Sequence, residues 1–253
     1  MNNLFKRSFL ILFGLCLLAG FLAGSFTARA TEAVDPLAFP GIPTPQGLAT
    51  RQHNLLLIGV DRLQARHPRL ESLWLAMAVP DSPGVTLMPL YPQLVDGVPQ
   101  HDETLEIAFR LDDQLAPYTG FINVLRAREL WWNHFVVLDK IGLAEVINLA
   151  GGIDLGDGRV DGSRAIAELP KAQEDPHGAL LSQTALLNGL CLSQSQPSNP
   201  EKPGELPERL SSHMVSDLSP AQMSRDWQRI RAAGGRLCKF PIQREMGFNL
   251  ALP

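Results

Sequence analysis

Three charged side chains flank two strong strand patterns in the first half of the chain. Asp61 directly follows the strand-like run Asn54–Val60, and Arg69 and Glu71 stand just before a second run, Leu73–Val79. Unbroken apolar runs of this length are typical of strands that are buried on both faces. Because α/β sheets carry their chemistry at the ends of such strands, we expect the three side chains to converge at one edge.

An arginine between two carboxylates suits the chemistry of phosphate groups. Arginine binds phosphate through a planar fork of donors, and Mg²⁺ is held by one or two carboxylates together with phosphate oxygens. Asp61, Arg69 and Glu71 therefore offer side chains of the kinds that hold phosphate or Mg²⁺. The alternatives are that Asp61 caps the turn after its strand, that Arg69 is a solvated loop residue, and that Glu71, on its longer stem, does not bind the metal.

Strand and helix patterns alternate along the chain and predict an α/β domain. Five turn-type residues, Pro80–Gly84, separate the second run from Val85–Met88 and predict a hairpin, followed by a loop from Pro89 to Glu103. Residues 134–139 predict another buried strand, and residues 153–155 a short one. Helices are predicted over residues 105–115, 121–130, 141–150 and 180–192, and from Ser219 to about residue 233.

The composition limits the classes of function. The chain has 253 residues, of which 45% are hydrophobic, enough for one domain with a sizeable core. Its net charge of −4 gives no support for nucleic-acid binding, which calls for a basic face. The sequence has no Gly-x-Ser-x-Gly elbow, no phosphate-cradling Gly-Lys-Ser/Thr loop and no Cys-x-x-Cys, which weakens hydrolase, nucleotide-binding and thioredoxin-like readings.

The N-terminus predicts a membrane segment. Lys6 and Arg7 precede an uncharged apolar stretch, Phe9–Phe26, close to the length of about 20 residues that spans a bilayer. Positive charge before the stretch places the N-terminus in the cytoplasm and the rest outside. We favour an uncleaved signal anchor over residues 1–30; cleavage after Ala30, which would release the protein, is the alternative.

The remaining organisation follows from composition. Residues 31–53 are rich in proline and glycine and predict a stalk, residues 54–240 the folded domain, and residues 241–253 a tail. Residues 193–212 predict a flexible loop within the domain. Cys191 and Cys238 are the only cysteines outside the membrane segment, and in an oxidising compartment a disulfide between them is one reading, two free thiols the other.

The order of the motifs from about Asn54 to Leu237 resembles the LytR-CpsA-Psr family of cell-envelope proteins. Asn54–Asp61 looks like the family's opening strand with its first acidic residue, and Arg69–Ser72 stands where the family has Arg-Ser-Asp-Thr. Three further segments are similar to the family's later motifs: residues 134–154, Leu187–Gly189 and Asp226–Ile230. The resemblance implies Asp61 and Glu71 as Mg²⁺ ligands and Arg69 as a phosphate ligand. The last of the three segments adds Arg229 as a second candidate phosphate ligand, against a solvated position on an arginine-rich helix.

The resemblance implies a three-layer α/β/α sandwich with a central mixed sheet, tethered outside the membrane. It also implies a polyprenyl-pyrophosphate-linked glycan as ligand, with the lipid in an apolar tunnel, and Mg²⁺-dependent transfer of the glycan phosphate to peptidoglycan or a related acceptor. Pro89–Gln93 and Leu190–Gln194 lack arginines that the family has at those places, so we expect binding with transfer reduced or lost. The alternatives are a structural or protein-interaction module whose tunnel is filled by Trp74 and Met77, and a secreted enzyme of different chemistry.

Overall fold

A computed structural model describes residues 52–79, 84–155, 158–167, 169–193, 210–219, 221–223 and 238–241. The predicted membrane segment, residues 31–51 of the predicted stalk, Arg229 and most of the predicted loop and tail lie outside these ranges. None of the helices in the described ranges combines the length and the apolar content that crossing a bilayer requires.

The described elements begin with five strands, after which helices and strands are interspersed. The strands are β1 (His53–Val60), β2 (Leu70–Ala78), β3 (Val85–Tyr91), β4 (Gln93–Val95), β5 (Val98–Gln100), β6 (His134–Asp139), β7 (Ile153–Asp154), β8 (Arg159–Val160), β9 (Met214–Ser216) and β10 (Cys238–Lys239). The helices are α1 (Glu103–Ala108), α2 (Thr119–Ala127), α3 (Lys140–Leu149), α4 (Gly162–Ala167) and α5 (Pro176–Ser193).

Six strands form a mixed central sheet in the order β10-β3-β2-β1-β6-β9. β1 is antiparallel to β2 and parallel to β6, while β3 is antiparallel to β2 and β9 is antiparallel to β6. The predicted hairpin between β2 and β3 is therefore confirmed, and with it the α/β class and the mixed sheet. Two small antiparallel pairs, β4–β5 and β7–β8, lie outside this sheet.

Both faces of the central sheet are covered. On one face, Leu56 and Ile58 of β1 pack in a core cluster with Phe121 and Leu125 of α2. On the other face, Trp74 of β2 packs with Leu87 and with Leu180 of α5. The alternation of side chains along a strand sends neighbouring apolar residues to opposite faces, which is why the strands read as continuous apolar runs.

Two predictions about this region were wrong. Residues 89–103 contain the end of β3 and the β4–β5 hairpin rather than a loop alone. The helix predicted over residues 105–115 covers only Glu103–Ala108 and ends at Phe109. The carboxylate of Asp112 accepts hydrogen bonds from the backbone amides of Gln114 and Ala116, and this local turn competes with helix continuation.

Candidate functional site

Five neighbouring strands bring a polar side chain to the same edge of the sheet. β1, β3 and β6 end at this edge and β2 and β9 begin there, because adjacent strands alternate in direction except for the parallel pair β1–β6. We call this set the polar edge; in strand order it consists of Tyr91, Glu71, Asp61, Asp139 and His213.

Asp61 and Arg69 form the most direct contact at the polar edge. The Asp61 carboxylate accepts hydrogen bonds from the backbone amides of Arg62 and Arg69, both at 2.8 Å, and from Arg69 Nε at 3.1 Å. The Arg69 side chain is 61% exposed and that of Asp61 only 19%. Partial burial raises the pKa of Asp61, but the amides of Arg69 and Arg62 and the Arg69 guanidinium outweigh it, so the pKa lies below its ordinary value.

Glu71 is displaced by a bulge in β2. Gly59 pairs with Ser72 and Val60 pairs with Leu70, so Glu71 is the extra residue on the β2 side. A bulge re-aims side chains and is common next to functional sites. Here the Glu71 carboxylate faces Lys140, with Oε2 and Nζ 3.6 Å apart.

An apolar cavity of about 120 Å³ lies beneath this ion pair. Its apolar wall comes from β1, β2, β6, α3 and α5 and includes Leu57, Trp74, Leu138, Leu143, Leu186 and Leu187. Glu71, Ser72 and Lys140 line it on the polar side. Trp74 Nε1 donates to Gln183 Oε1 at 3.0 Å, and Gln183 Nε2 donates to the Glu71 carbonyl at 3.1 Å, so α5 is tied to the bulge across the cavity.

The carboxylates at the polar edge match Mg²⁺ in chemistry but do not form a complete metal site. In the ranges that the structure describes, no three His, Cys, Asp or Glu side chains converge as ligands. Asp61 and Glu71 supply oxygen donors, which Mg²⁺ prefers, but each already faces a cation. The pair fits Mg²⁺ only if a ligand brings phosphate oxygens of its own.

A second polar group adjoins the edge at Tyr91, whose side chain is fully buried. Burial, followed by the negative charges of Glu106, Glu71 and Asp102, raises the pKa of the Tyr91 phenol. Glu106 lies 2.5 Å from His101 Nε2. The segment in which the resemblance predicts an arginine thus has a neutral phenol among carboxylates, an environment that weakens the attraction of a phosphate.

Sequence reasoning gave no site role to three residues of the polar edge or to the ion-pair partner of Glu71: Tyr91, Asp139, His213 and Lys140. Lys140 follows β6 directly, and that position at the end of a predicted strand was the signal that could have found it. His213 Nδ1 lies 3.0 Å from Asp139 Oδ2 across 74 residues of sequence, a separation that no motif spacing reveals.

The two candidate cysteines are joined in the structure. Cys191 on α5 and Cys238 on β10 form a disulfide with a Cα–Cα distance of 6.2 Å. Both pack against the cluster that contains Trp74 and Phe240. The bond fastens the two-residue edge strand β10 to the helix that walls the cavity.

Solved structures share the fold that these elements build. B. subtilis TagV aligns with a TM-score of 0.52 and 14% identity over 79% of this chain and 98% of its own. A structure of TagT bound to LI-WTA aligns with a TM-score of 0.53 and 12% identity, over 79% of this chain and 92% of its own. The LytR-Csp2A-Psr enzyme from Actinomyces oris aligns with a TM-score of 0.52 and 15% identity, over 74% of this chain and 80% of its own.

Two sequence-level comparisons do not find this likeness. No model of a protein family matches the chain, and no curated protein matches it significantly in sequence. The likeness is therefore one of architecture, at sequence identities of 12–15% among the three structures compared above. It agrees with the order of motifs found in the sequence. The chain has a divergent form of the LytR-CpsA-Psr fold.

Proposed function

We propose that this chain binds a polyprenyl-(pyro)phosphate-linked glycopolymer outside the cytoplasmic membrane and transfers it, slowly, to a wall acceptor. The observation that carries the proposal is the apolar cavity that lies directly beneath charged side chains of the polar edge. A phosphorylated lipid needs both features in contact, because its chain gains free energy from apolar burial and its phosphate from charged donors. TagT, which has the same fold, is bound to LI-WTA in its structure.

Each residue of the site has a separate part in this proposal. Arg69, mostly exposed, rotates from Asp61 onto the phosphate, and Lys140 meets it from the α3 side. Asp61 and Glu71 hold Mg²⁺ together with phosphate oxygens, which neutralises the charge on the ligand. Arg229, outside the described residues, is a further phosphate ligand in this proposal.

Slow transfer follows from the donors that this chain lacks. One arginine that stabilises the transition state of phosphoryl transfer is worth about 10³–10⁵ in rate in well-studied cases. The segment Pro89–Gln93 offers none, and Tyr91 within it is neutral and buried. Binding depends mainly on apolar contact, so it survives this loss better than transfer does.

The size of the cavity favours a second candidate, a structural or protein-interaction module without a ligand. Small-molecule pockets have volumes of about 300–1,000 Å³, and this cavity has about 120 Å³. Trp74, 3% exposed, occupies the space on one side. Met77, which we expected beside Trp74, instead packs against the core cluster on the opposite face of the sheet. In this reading the fold is kept as a scaffold and Trp74 replaces the lipid.

Binding measurements separate the two candidates. We expect the full chain in detergent to bind a fluorescent polyprenyl phosphate, and Arg69→Ala and Lys140→Ala each to weaken binding by about tenfold, the loss of one charge-assisted contact. Lys171→Ala is the control, because Lys171 pairs with exposed Glu174. Trp74→Ala should tighten binding if the lipid enters the cavity. Absence of binding in both the natural chain and Trp74→Ala supports the module instead.

Turnover and location are tested separately. Release of polyprenyl phosphate from a lipid-linked glycan in the presence of Mg²⁺ measures transfer, and turnover that survives Asp61→Ala unchanged contradicts the assigned site. We propose that residues 1–30 anchor the chain, with the domain outside the cell. Resistance of the chain to alkaline extraction from membranes supports the anchor, and a soluble chain that begins at Thr31 contradicts it.

A further inference from the structure

A histidine and a buried aspartate form a pair at the polar edge that the proposed binding does not use. Asp139 ends β6, and its carboxylate is 3% exposed. Its Oδ2 lies 3.0 Å from Nδ1 of His213, the residue that precedes β9. The His213 side chain is 27% exposed, and in the part of the chain that the structure describes no group hydrogen-bonds to its Nε2.

The aspartate is held in place by backbone donors on both sides. Gly142 donates its amide to Asp139 Oδ1 at 2.8 Å as part of the N-cap of α3, and Leu63 donates to Oδ2 at 3.4 Å. The backbone amide of Asp139 donates to the His213 carbonyl at 3.1 Å. Both members of the pair are therefore fixed relative to the sheet, and an ionised carboxylate accepts only, so Nδ1 must be the donor.

This arrangement makes the outer nitrogen of the imidazole a proton acceptor. When Nδ1 carries the proton toward a carboxylate, the lone pair on Nε2 is free to take a proton, and the carboxylate stabilises the imidazolium that forms. Close packing keeps the ring in this place: a Cβ on Gly142 would lie 2.6 Å from the His213 carbonyl oxygen and 3.1 Å from the His213 Cβ.

The pair lies beside the residues assigned to the phosphate. β9 is two strands from β1, roughly 10 Å at the usual strand spacing of about 4.8 Å. The loop that starts with Asp61 reaches Asp139 through the amide of Leu63, and Lys140 follows Asp139 in sequence. An acceptor hydroxyl placed at this edge between β1 and β9 would have the phosphate ligand on one side and His213 on the other.

We propose that His213, held by Asp139, is the general base that activates the acceptor hydroxyl for transfer; this rests on the function proposed above. His213 Nε2 takes the hydroxyl proton while the oxygen attacks the phosphorus that bears the glycan. A new P–O bond forms, the P–O bond to the polyprenyl phosphate breaks, and the polyprenyl phosphate leaves with the electron pair. The imidazolium then returns its proton to water.

Two substitutions distinguish this role from a purely structural one. His213→Asn keeps an amide donor near the position of Nδ1 and removes the base, so a structural bond to Asp139 is retained. We expect it to leave binding of fluorescent polyprenyl phosphate within about twofold and to lower kcat by about 100-fold or more, the usual size of general-base catalysis. His177→Asn, at the start of α5, is the matched control and should change neither quantity.

A nuclear magnetic resonance measurement tests the geometry without turnover. In the full chain with ¹⁵N-labelled histidine, we expect neutral His213 to carry its proton on Nδ1, and Asp139→Asn to change that tautomer. A proton on Nε2 in the natural chain overturns the proposal. So does an unchanged kcat in His213→Asn. Binding without any turnover in the natural chain overturns the general base alone, while absence of binding overturns the proposed function and this inference together.

Discussion

Removal of the Cys191–Cys238 disulfide should cost this domain several kcal/mol of stability. The bond closes a loop across 47 residues of sequence. The chain-entropy relation for a loop of this length gives about 4 kcal/mol at 25 °C, because the cross-link removes conformations from the unfolded chain. For a domain of about 200 residues each kcal/mol moves Tm by roughly 2–4 °C, so the expected fall is about 8–16 °C.

The structure indicates which part of the molecule bears this loss. β10 contributes two residues to the sheet, paired with Val85 and Thr86, too few to hold an edge strand without further support. Leu187, one turn before Cys191 on α5, lines the cavity. Loss of the bond should therefore loosen the cavity wall as well as lower the overall stability.

The assay is urea unfolding of the full chain in detergent, with and without reductant, beside the double variant Cys191→Ser/Cys238→Ser. Thiol titration of the denatured, unreduced chain should find one free thiol among three cysteines. Reductant should lower the midpoint of the natural chain and leave that of the double variant unchanged. Three free thiols, or equal midpoints for both proteins without reductant, would refute the reasoning.

Three further substitutions test the packing and charge of the site. Because the pKa of Asp61 is lowered in the folded state, this carboxylate stabilises the fold above its unfolded pKa of about 3.9, and the stabilisation is lost as the pH falls through the folded pKa. In Asp61→Asn the urea midpoint should therefore depend less on pH below about pH 4. An unchanged pH dependence in this variant contradicts the pairing with Arg69. Asp102→Ala removes the side-chain acceptor that caps α1 and should cost at least about 1 kcal/mol, whereas Asp102→Asn, which keeps an acceptor, should cost less in the same unfolding assay. Gly59→Ala places a Cβ against the Ser72 hydroxyl and should lower the free energy of unfolding by about 1–3 kcal/mol. Adding Ser72→Ala to this variant should restore part of that loss. If the effects of the two substitutions simply add, the predicted contact between Cβ and hydroxyl is contradicted.

Sequence patterns predicted the elements that are determined by residues close to one another in the chain. The apolar runs of β1, β2 and β6 could be recognised in the sequence because each depends on a few neighbouring residues. The roles predicted for Asp61, Arg69 and Glu71 stay predictions, although the structure brings Asp61 and Arg69 into contact.

Features that depend on partners distant in sequence could not be predicted in this way. β9 and β10 have three and two residues, too short for a hydrophobic period to show, and they are strands only because β6 and β3 offer open edges. The bulge at Glu71 arises from the register in which β1 pairs with β2, and the sequence of either strand by itself does not determine that register. The contact of His213 with Asp139 could not be predicted either, because it forms only when β9, which His213 precedes, pairs with β6.

The charge at the polar edge determines how the proposed phosphate ligand would bind there. Among the described residues of the edge and their ion-pair partners, Asp61, Glu71 and Asp139 are three carboxylates against two cations, Arg69 and Lys140. Each of these cations is already paired, so a bare phosphate would meet net negative charge and would have to compete for them. A divalent cation would reverse this balance, because oxygen ligands from both the carboxylates and a phosphate suit Mg²⁺. For the proposed phosphate ligand, this charge balance would favour binding together with Mg²⁺ over binding without it.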